Sequence, residues 1–199
     1  MLLDRLAYLA QGAELVVFAG SLPRGVPDDF YANAIHELAR RQIPAVLDCD
    51  GEPLRYGVDA EPFLVSPNQR EAESLVGQEF HDDEDFQLGL DRIAELGARN
   101  VIITSEAGCV ALLREGREAR RFRAVAPRVE PVSPVGGGDV LLAAFLAARS
   151  AGRSHEDALR AAVGAGAAST LELGAGRFDA RQAHRLQGGV EVSELAPVG

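Results

Sequence analysis

Short apolar runs alternate with stretches of helical period along almost the whole chain. The runs Leu15 to Ala19, Ala45 to Cys49, Phe63 to Val65 and Val101 to Ile103 are apolar nearly throughout, rather than at every second residue. A strand of that kind buries both faces, which requires a helix layer on each side of the sheet it joins. Between the runs, the spacing predicts helices over residues 28–42, with Phe30, Ile35 and Leu38 along one face, then 52–56, 69–76 and 82–96. Cys109 to Arg114 and Arg121 to Ala126 are close enough to pair as a hairpin. Further helices are expected after the glycine run at 136–138, from Ser154 to about Leu171 and over 180–186, with a last strand at 190–192. The fold class that follows is α/β: a mostly parallel sheet in a three-layer α/β/α arrangement. Ligands in such sheets bind beyond the carboxyl ends of the strands. Gly20-Ser21, Asp48, Asn68, Thr104 and the glycine run are expected along that rim.

Composition removes several kinds of chemistry. The 199 residues carry 30 acidic and 20 basic side chains, a net charge of −10. That balance leaves no basic surface for nucleic acid. Every basic residue is arginine. A Walker A lysine, a pyridoxal Schiff base and a lysine general base are therefore excluded, and a phosphate held by a cation must be held by arginine or a metal. Cys49 and Cys109 sit in apolar runs and are expected as buried thiols in a reducing compartment. His36, His81, His155 and His184 lack metal-ligand spacing. The absence of a membrane-length apolar run and of a signal-peptide pattern at the start points to a cytoplasmic protein.

Chemistry concentrates at Ser133-Pro134-Val135-Gly136-Gly137-Gly138-Asp139-Val140, directly before the apolar run Leu141 to Ala148. Glycines opening a helix let backbone N–H groups converge on an anion, which the helix dipole also favours. Asp139, in the first turn, can reach a reacting hydroxyl. A phosphate cradle beside a carboxylate suits phosphoryl transfer to an alcohol. The competing reading is a glycine-rich turn whose aspartate merely caps a core helix. Asn68 and Glu71, one helical turn apart, fit either a cation site or an N-cap box. Gly164 to Ser169 is a stripe of small residues inside a helical pattern, which permits close approach of an adenine or, as the reading placed first, of another helix.

Four segments in order resemble one family, the ribokinase-like (PfkB) carbohydrate kinases, in the branch of 1-phosphofructokinase and tagatose-6-phosphate kinase. Gly20-Ser21-Leu22-Pro23-Arg24-Gly25-Val26-Pro27 is similar to that branch's GSLPxGVP turn, and Pro67-Asn68-Gln69-Arg70-Glu71 to its PNxxE segment. Val135-Gly136-Gly137-Gly138-Asp139 resembles the VGAGD signature, with Gly137 in place of the usual alanine. Gly174 to Asp179 resembles the late loop. The resemblance implies Asp139 as general base, with the amides of Gly136, Gly137 and Gly138 stabilising the transferring phosphoryl group. It implies ATP as co-substrate, contacted around Thr104, Gly108, Val135, Gly138 and Gly164, and Mg²⁺ held by Asn68 and Glu71 through water.

The chain also departs from the pattern. Ser66 replaces a lysine the branch often carries, Arg24 replaces a common proline, and Thr104 to Gly108 is one residue short, with Glu106 where a glycine is expected. The family's N-terminal portion, which holds sugar contacts and a β-sheet lid, has no counterpart here. Residues 1–199 are accordingly expected as one nucleotide-binding and catalytic domain, N-terminally incomplete and compatible with a homodimer, with an uncovered sheet edge or exposed apolar surface. The expected activity is ATP-dependent conversion of fructose 1-phosphate to fructose 1,6-bisphosphate. The alternatives are a non-catalytic nucleotide-binding remnant or partner subunit, and a kinase for an unphosphorylated sugar or a nucleoside.

Overall fold

The computed structural model of the chain describes residues 2–196. These divide into two compact units, residues 2–103 with 116–118, and residues 104–115 with 119–196. The first unit runs α1 (Leu2–Leu9), β1 (Val16–Ala19), α2 (Phe30–Arg40), β2 (Ala45–Asp48), α3 (Gly51–Asp59), β3 (Leu64–Val65), α4 (Gln69–Val76) and α5 (Asp83–Glu95) into β4 (Val101–Ser105), where the division falls. Its strands are parallel and follow chain order, with Val17 opposite Val46, Val46 opposite Leu64 and Val65 opposite Val101. Val46, Leu47, Leu64, Val65 and the three residues Val101, Ile102 and Ile103 are wholly buried. Ile35 and Leu38 of α2, Leu54 and Val58 of α3, and Leu90 and Ile93 of α5 complete the core. Burial along β2, β3 and the first three residues of β4 is what the unbroken apolar runs required, whereas in β1 only Phe18 is buried.

Local signals set the helix ends. Asp82 caps α5 by accepting from the amides of Glu84 and Asp85, and α4 stops at Gly77, whose left-handed φ of 72° suits a glycine after the last turn. Two expectations are corrected. α3 is longer than 52–56, reaching Asp59, with Pro53 tolerated in its first turn because no helical acceptor is available there. The inner face of α2 runs through Tyr31, Ala34, Ile35 and Leu38 rather than through Phe30. Tyr31 wins that position because its ring packs on Phe18, with centroids 5.3 Å apart, and its hydroxyl donates to the Gly20 carbonyl at 2.9 Å.

β1 is the outermost strand, with no partner on its free side among the described residues. Val17 on it is 41% exposed, and Tyr8 and Leu9 of α1 are also exposed. An uncharged apolar edge of this kind is one that further strands can pair with.

The second unit contains β5 (Gly108–Glu115), β6 (Glu118–Val125), α6 (Gly137–Ser150), α7 (His155–Ser169), α8 (Ala180–Gln187) and β7 (Glu191–Leu195). β5 and β6 are neighbours across a two-residue turn, and β7 lies antiparallel to β6, with Phe122 opposite Glu194. Ser154 caps α7 through the Asp157 amide, as its spacing predicts. Arg120 of β6 donates to Glu194 of β7 at 2.7 Å and to Glu156 of α7 at 2.8 Å, while its guanidinium lies 4.9 Å from the centre of the Phe122 ring. One arginine thus ties the last strand to the rest of the unit.

His155 opens α7 almost fully buried, 6% exposed, with its ring edge-on to Phe122. Burial holds its pKa below the ordinary value near 6.5, and the Arg149 charge adds to that depression. Folding is unaffected by this group at pH well above 6.5, where His155 is neutral in both states. As pH falls below 6.5, the unfolded chain takes up the proton first, so stability declines until the folded value is also passed. His155→Phe is expected to flatten that decline between pH 7.5 and 5.5, measured as urea midpoints.

Candidate functional site

In the first unit, the ends of β1, β2 and β3 bring together the segments that follow them. The Gly20 amide donates to the Asp48 carbonyl at 2.8 Å, and the Ser66 amide donates to the Leu47 carbonyl at 3.0 Å. The turn after Ser21 closes where the Val26 amide donates to the Pro23 carbonyl at 3.1 Å, with Gly25 at φ +84°. A positive φ at the third residue of a turn that begins with proline explains the glycine there.

Asn68 and Glu71 form a complete capping box on α4. Asn68 Oδ1 accepts from the Glu71 amide at 3.0 Å, and Glu71 Oε2 accepts from the Asn68 amide at 2.8 Å. The structural alternative for this pair is therefore realised. The box commits Glu71 Oε2 but not its second oxygen. Burial raises the Glu71 carboxyl above its usual range, and the nearby Asp50 charge pushes the same way. Cys49, behind them, is a free buried thiol pushed up to about 12 by burial and by Asp48, Asp50 and Glu71. It is inert as a nucleophile. The electrostatics here are those of clustered negative charge, which a cation would relieve. Among the described residues, however, no group of three or more His, Cys, Asp or Glu side chains is arranged to hold a metal.

Ser66, at the position of the absent lysine, is 4% exposed and its hydroxyl has no hydrogen-bond partner among the described residues. A buried unsatisfied hydroxyl costs about 1–3 kcal/mol. Ser66→Ala is expected to raise stability by about 1 kcal/mol. A lower urea midpoint in the variant would contradict this.

The glycine run stands in the second unit at the start of α6. Gly136 is the N-cap residue with φ 83°, and a Cβ on it would lie 2.9 Å from the Gly176 amide nitrogen and 3.1 Å from Ala175 Cα. The late loop thus packs directly on the signature, and Gly136 is obligatory for both conformation and space. A Cβ on Gly137 would make only ordinary contacts, at 3.6 Å and beyond, so an alanine fits there as readily as this glycine. Gly138 faces open space. The Gly137 amide is directed back to the Pro134 carbonyl at 3.3 Å, while those of Gly138 and Asp139 have no acceptor in the preceding loop. Asp139 is exposed, and its side chain makes neither a cap bond nor an ion pair among the described residues. A free carboxylate beside free amides at a helix N-terminus can receive a proton and hold an anion at adjacent positions.

The remaining expected nucleotide residues are distributed differently. Val135 is exposed beside the cradle. Thr104 is half-buried near the end of β4, followed by the turn Glu106-Ala107, and Gly108 is buried at the start of β5. Gly164 does not face a ligand surface: a Cβ on it would lie 2.8 Å from the Gln187 backbone, so α8 covers it. Gly166, half a turn on, lies against the Gly137 carbonyl and Leu141 of α6. The expected nucleotide contact at Gly164 is corrected to helix packing, because α7 is buried from Ala162 to Ser169 between two neighbours. Sequence reasoning missed Arg177, which belongs to the late loop and sits next to the residues that press on Gly136. Its signal was the lack of lysine.

The fold and the helix-borne glycine–aspartate signature define a ribokinase-like α/β kinase architecture, three layers around a mostly parallel sheet. Solved structures agree. A phosphofructokinase from Staphylococcus aureus superposes with a TM-score of 0.85 at 24% identity, over 98% of this chain and 63% of that one. Phosphofructokinase-2 from Escherichia coli superposes with a TM-score of 0.82 at 26% identity, over 94% and 61%. The pfkB family carbohydrate kinase model matches residues 2–181. The chain belongs to this family. The 1-phosphofructokinase of Vibrio cholerae is 31% identical over 189 residues, 95% of this chain and 59% of that protein. The 1-phosphofructokinase of Bacillus subtilis is 35% identical over 170 residues, 84% and 55%. The chain thus spans little more than half the length of these relatives. No helix among the described residues is long and apolar enough to cross a membrane.

Proposed function

We propose that the chain supplies the nucleotide-binding and catalytic part of an ATP-dependent phosphosugar kinase, converting fructose 1-phosphate to fructose 1,6-bisphosphate. The observation that carries this reading is the exposed, unpartnered Asp139 carboxylate one residue beyond the open face of Gly138. The free amides at the start of α6 orient the terminal phosphate of ATP and stabilise the charge spread over its oxygens as the bond to the leaving ADP breaks, an effect worth a few kcal/mol in such sites. Asp139 accepts the proton of the sugar hydroxyl as that oxygen attacks phosphorus. The capping box commits Asn68 Oδ1 and Glu71 Oε2, so this pair would hold Mg²⁺ through the remaining Glu71 oxygen or through the ion's water shell. The ion, when bound, neutralises phosphate charge. The named relatives support the choice of fructose 1-phosphate.

A second reading, a nucleotide-binding partner subunit without turnover of its own, is favoured by the departures from the family pattern at Ser66 and over Thr104 to Gly108. An ADP-release assay with Mg·ATP and either fructose 1-phosphate, fructose 6-phosphate or fructose separates the two. Release that depends on fructose 1-phosphate is expected. Release favouring unphosphorylated fructose changes the acceptor class. Binding of Mg·ATP without sugar-dependent release supports the partner subunit.

A further inference from the structure

We infer that Arg177 is the cation that grips the terminal phosphate of the nucleotide at the Gly136–Gly138 cradle, an assignment that rests on the nucleotide-binding reading above. The late loop is fixed against the signature by backbone, not by adaptable side chains: the Gly176 nitrogen and Ala175 Cα lie 2.9 and 3.1 Å from the Cβ position of Gly136. Two further bonds tie the preceding loop to the end of α7, from the Val132 and Ser133 amides to the Thr170 carbonyl, at 2.7 and 2.9 Å. Gly174 and Gly176 take φ values of +103° and +73°, which close the loop into a turn that the Arg177 amide completes by donating to the Gly174 carbonyl.

Consecutive Cα atoms are about 3.8 Å apart, so Arg177 is held one residue from the contact with Gly136 and within a side-chain length of the cradle. Its aliphatic stem lies against Gly174, with Cδ 3.2 Å from that residue's Cβ position. Its guanidinium forms no ion pair or side-chain hydrogen bond among the described residues, in contrast to Arg120, which is fully engaged. The chain contains no lysine, so a side-chain cation at this cradle has to be an arginine. A free arginine beside unpaired amides supplies the planar, paired donors that a phosphate accepts, and a lysine would supply only a point charge.

Calorimetric titration of the chain with Mg·ATP and Mg·ADP tests the assignment, using Arg177→Ala, Arg177→Lys and, as a charge-matched control on α8, Arg185→Ala. Arg177→Ala is expected to weaken Mg·ATP about tenfold or more and Mg·ADP less than about threefold. Arg177→Lys should recover part of the loss, and Arg185→Ala should match the parent. Urea midpoints near the parent's establish that the variants are folded, and the lysine variant keeps the test open should the alanine variant unfold. Equal affinity in parent and Arg177→Ala, equal losses for ATP and ADP, or an equal loss in Arg185→Ala would overturn the inference. A parent that binds no Mg·ATP removes this inference together with the nucleotide reading. Arg177-dependent binding without sugar-dependent ADP release removes only the proposed reaction.

Discussion

Asp139→Asn is expected to reduce fructose 1-phosphate-dependent ADP release by about 10²–10⁴-fold, the usual contribution of a positioned general base. The amide keeps the shape of the carboxylate but cannot take the proton that the attacking hydroxyl must lose. Binding of Mg·ATP should change little, because the substitution leaves the amides of Gly138 and residue 139 in place. Stability should also change little: Asp139 is exposed and caps nothing, so only its favourable position near the helix dipole is lost, about 0.3–1 kcal/mol. The decisive comparison is turnover against nucleotide affinity in the same preparation. Near-normal turnover in the asparagine variant would remove Asp139 from the reaction. A parallel collapse of affinity, turnover and urea midpoint would show that the residue acts through the fold.

Gly108→Ala is expected to destabilise the chain by about 3 kcal/mol or more, the largest single effect on folding anticipated at a site residue. The new Cβ would lie 2.1 Å from the Ala124 carbonyl oxygen, a backbone atom of the neighbouring strand that cannot swing aside. Gly108 also holds φ +134°, where a side chain is strained regardless of space. Urea denaturation measures the loss directly. The result also separates two explanations for this glycine. If it serves nucleotide contact alone, Gly108→Ala would lower affinity while leaving the midpoint unchanged. If strand packing requires it, the midpoint falls whether or not nucleotide is present.

These two residues mark how far the chain could be read without coordinates. The position of Asp139 was legible because it depends on local chain geometry: three glycines before an apolar helical run place the next residue in a first turn, whatever surrounds it. The α4 boundaries, Gln69 to Val76, follow equally from Pro67 before the helix and Gly77 after it. Gly108, and Gly164 with helix packing as the reading placed first, stand as candidate ligand residues in the sequence because glycine near a nucleotide motif is ambiguous in one dimension. Each meets a backbone distant in sequence, Ala124 for one and Gln187 for the other. The same limit misplaced the inner face of α2, since the choice between Phe30 and Tyr31 was made by Phe18 and the Gly20 carbonyl. Asn68 and Glu71 satisfied two local rules at once, and the capping box formed because both partners are backbone amides already within reach.

By itself, the sequence determined the alternation of strands and helices, the burial of β2, β3 and β4 on both faces, and the glycine–aspartate start of α6, because periodicity and turn chemistry act over a few residues. Tertiary structure alone decided that the late loop presses its backbone on Gly136 and leaves Arg177 unpaired beside it. It also decided that α7 is enclosed by α6 and α8, so that its small residues serve packing. Those outcomes depend on which distant segments meet, and side-chain volume rather than spacing selects among the meetings a chain permits.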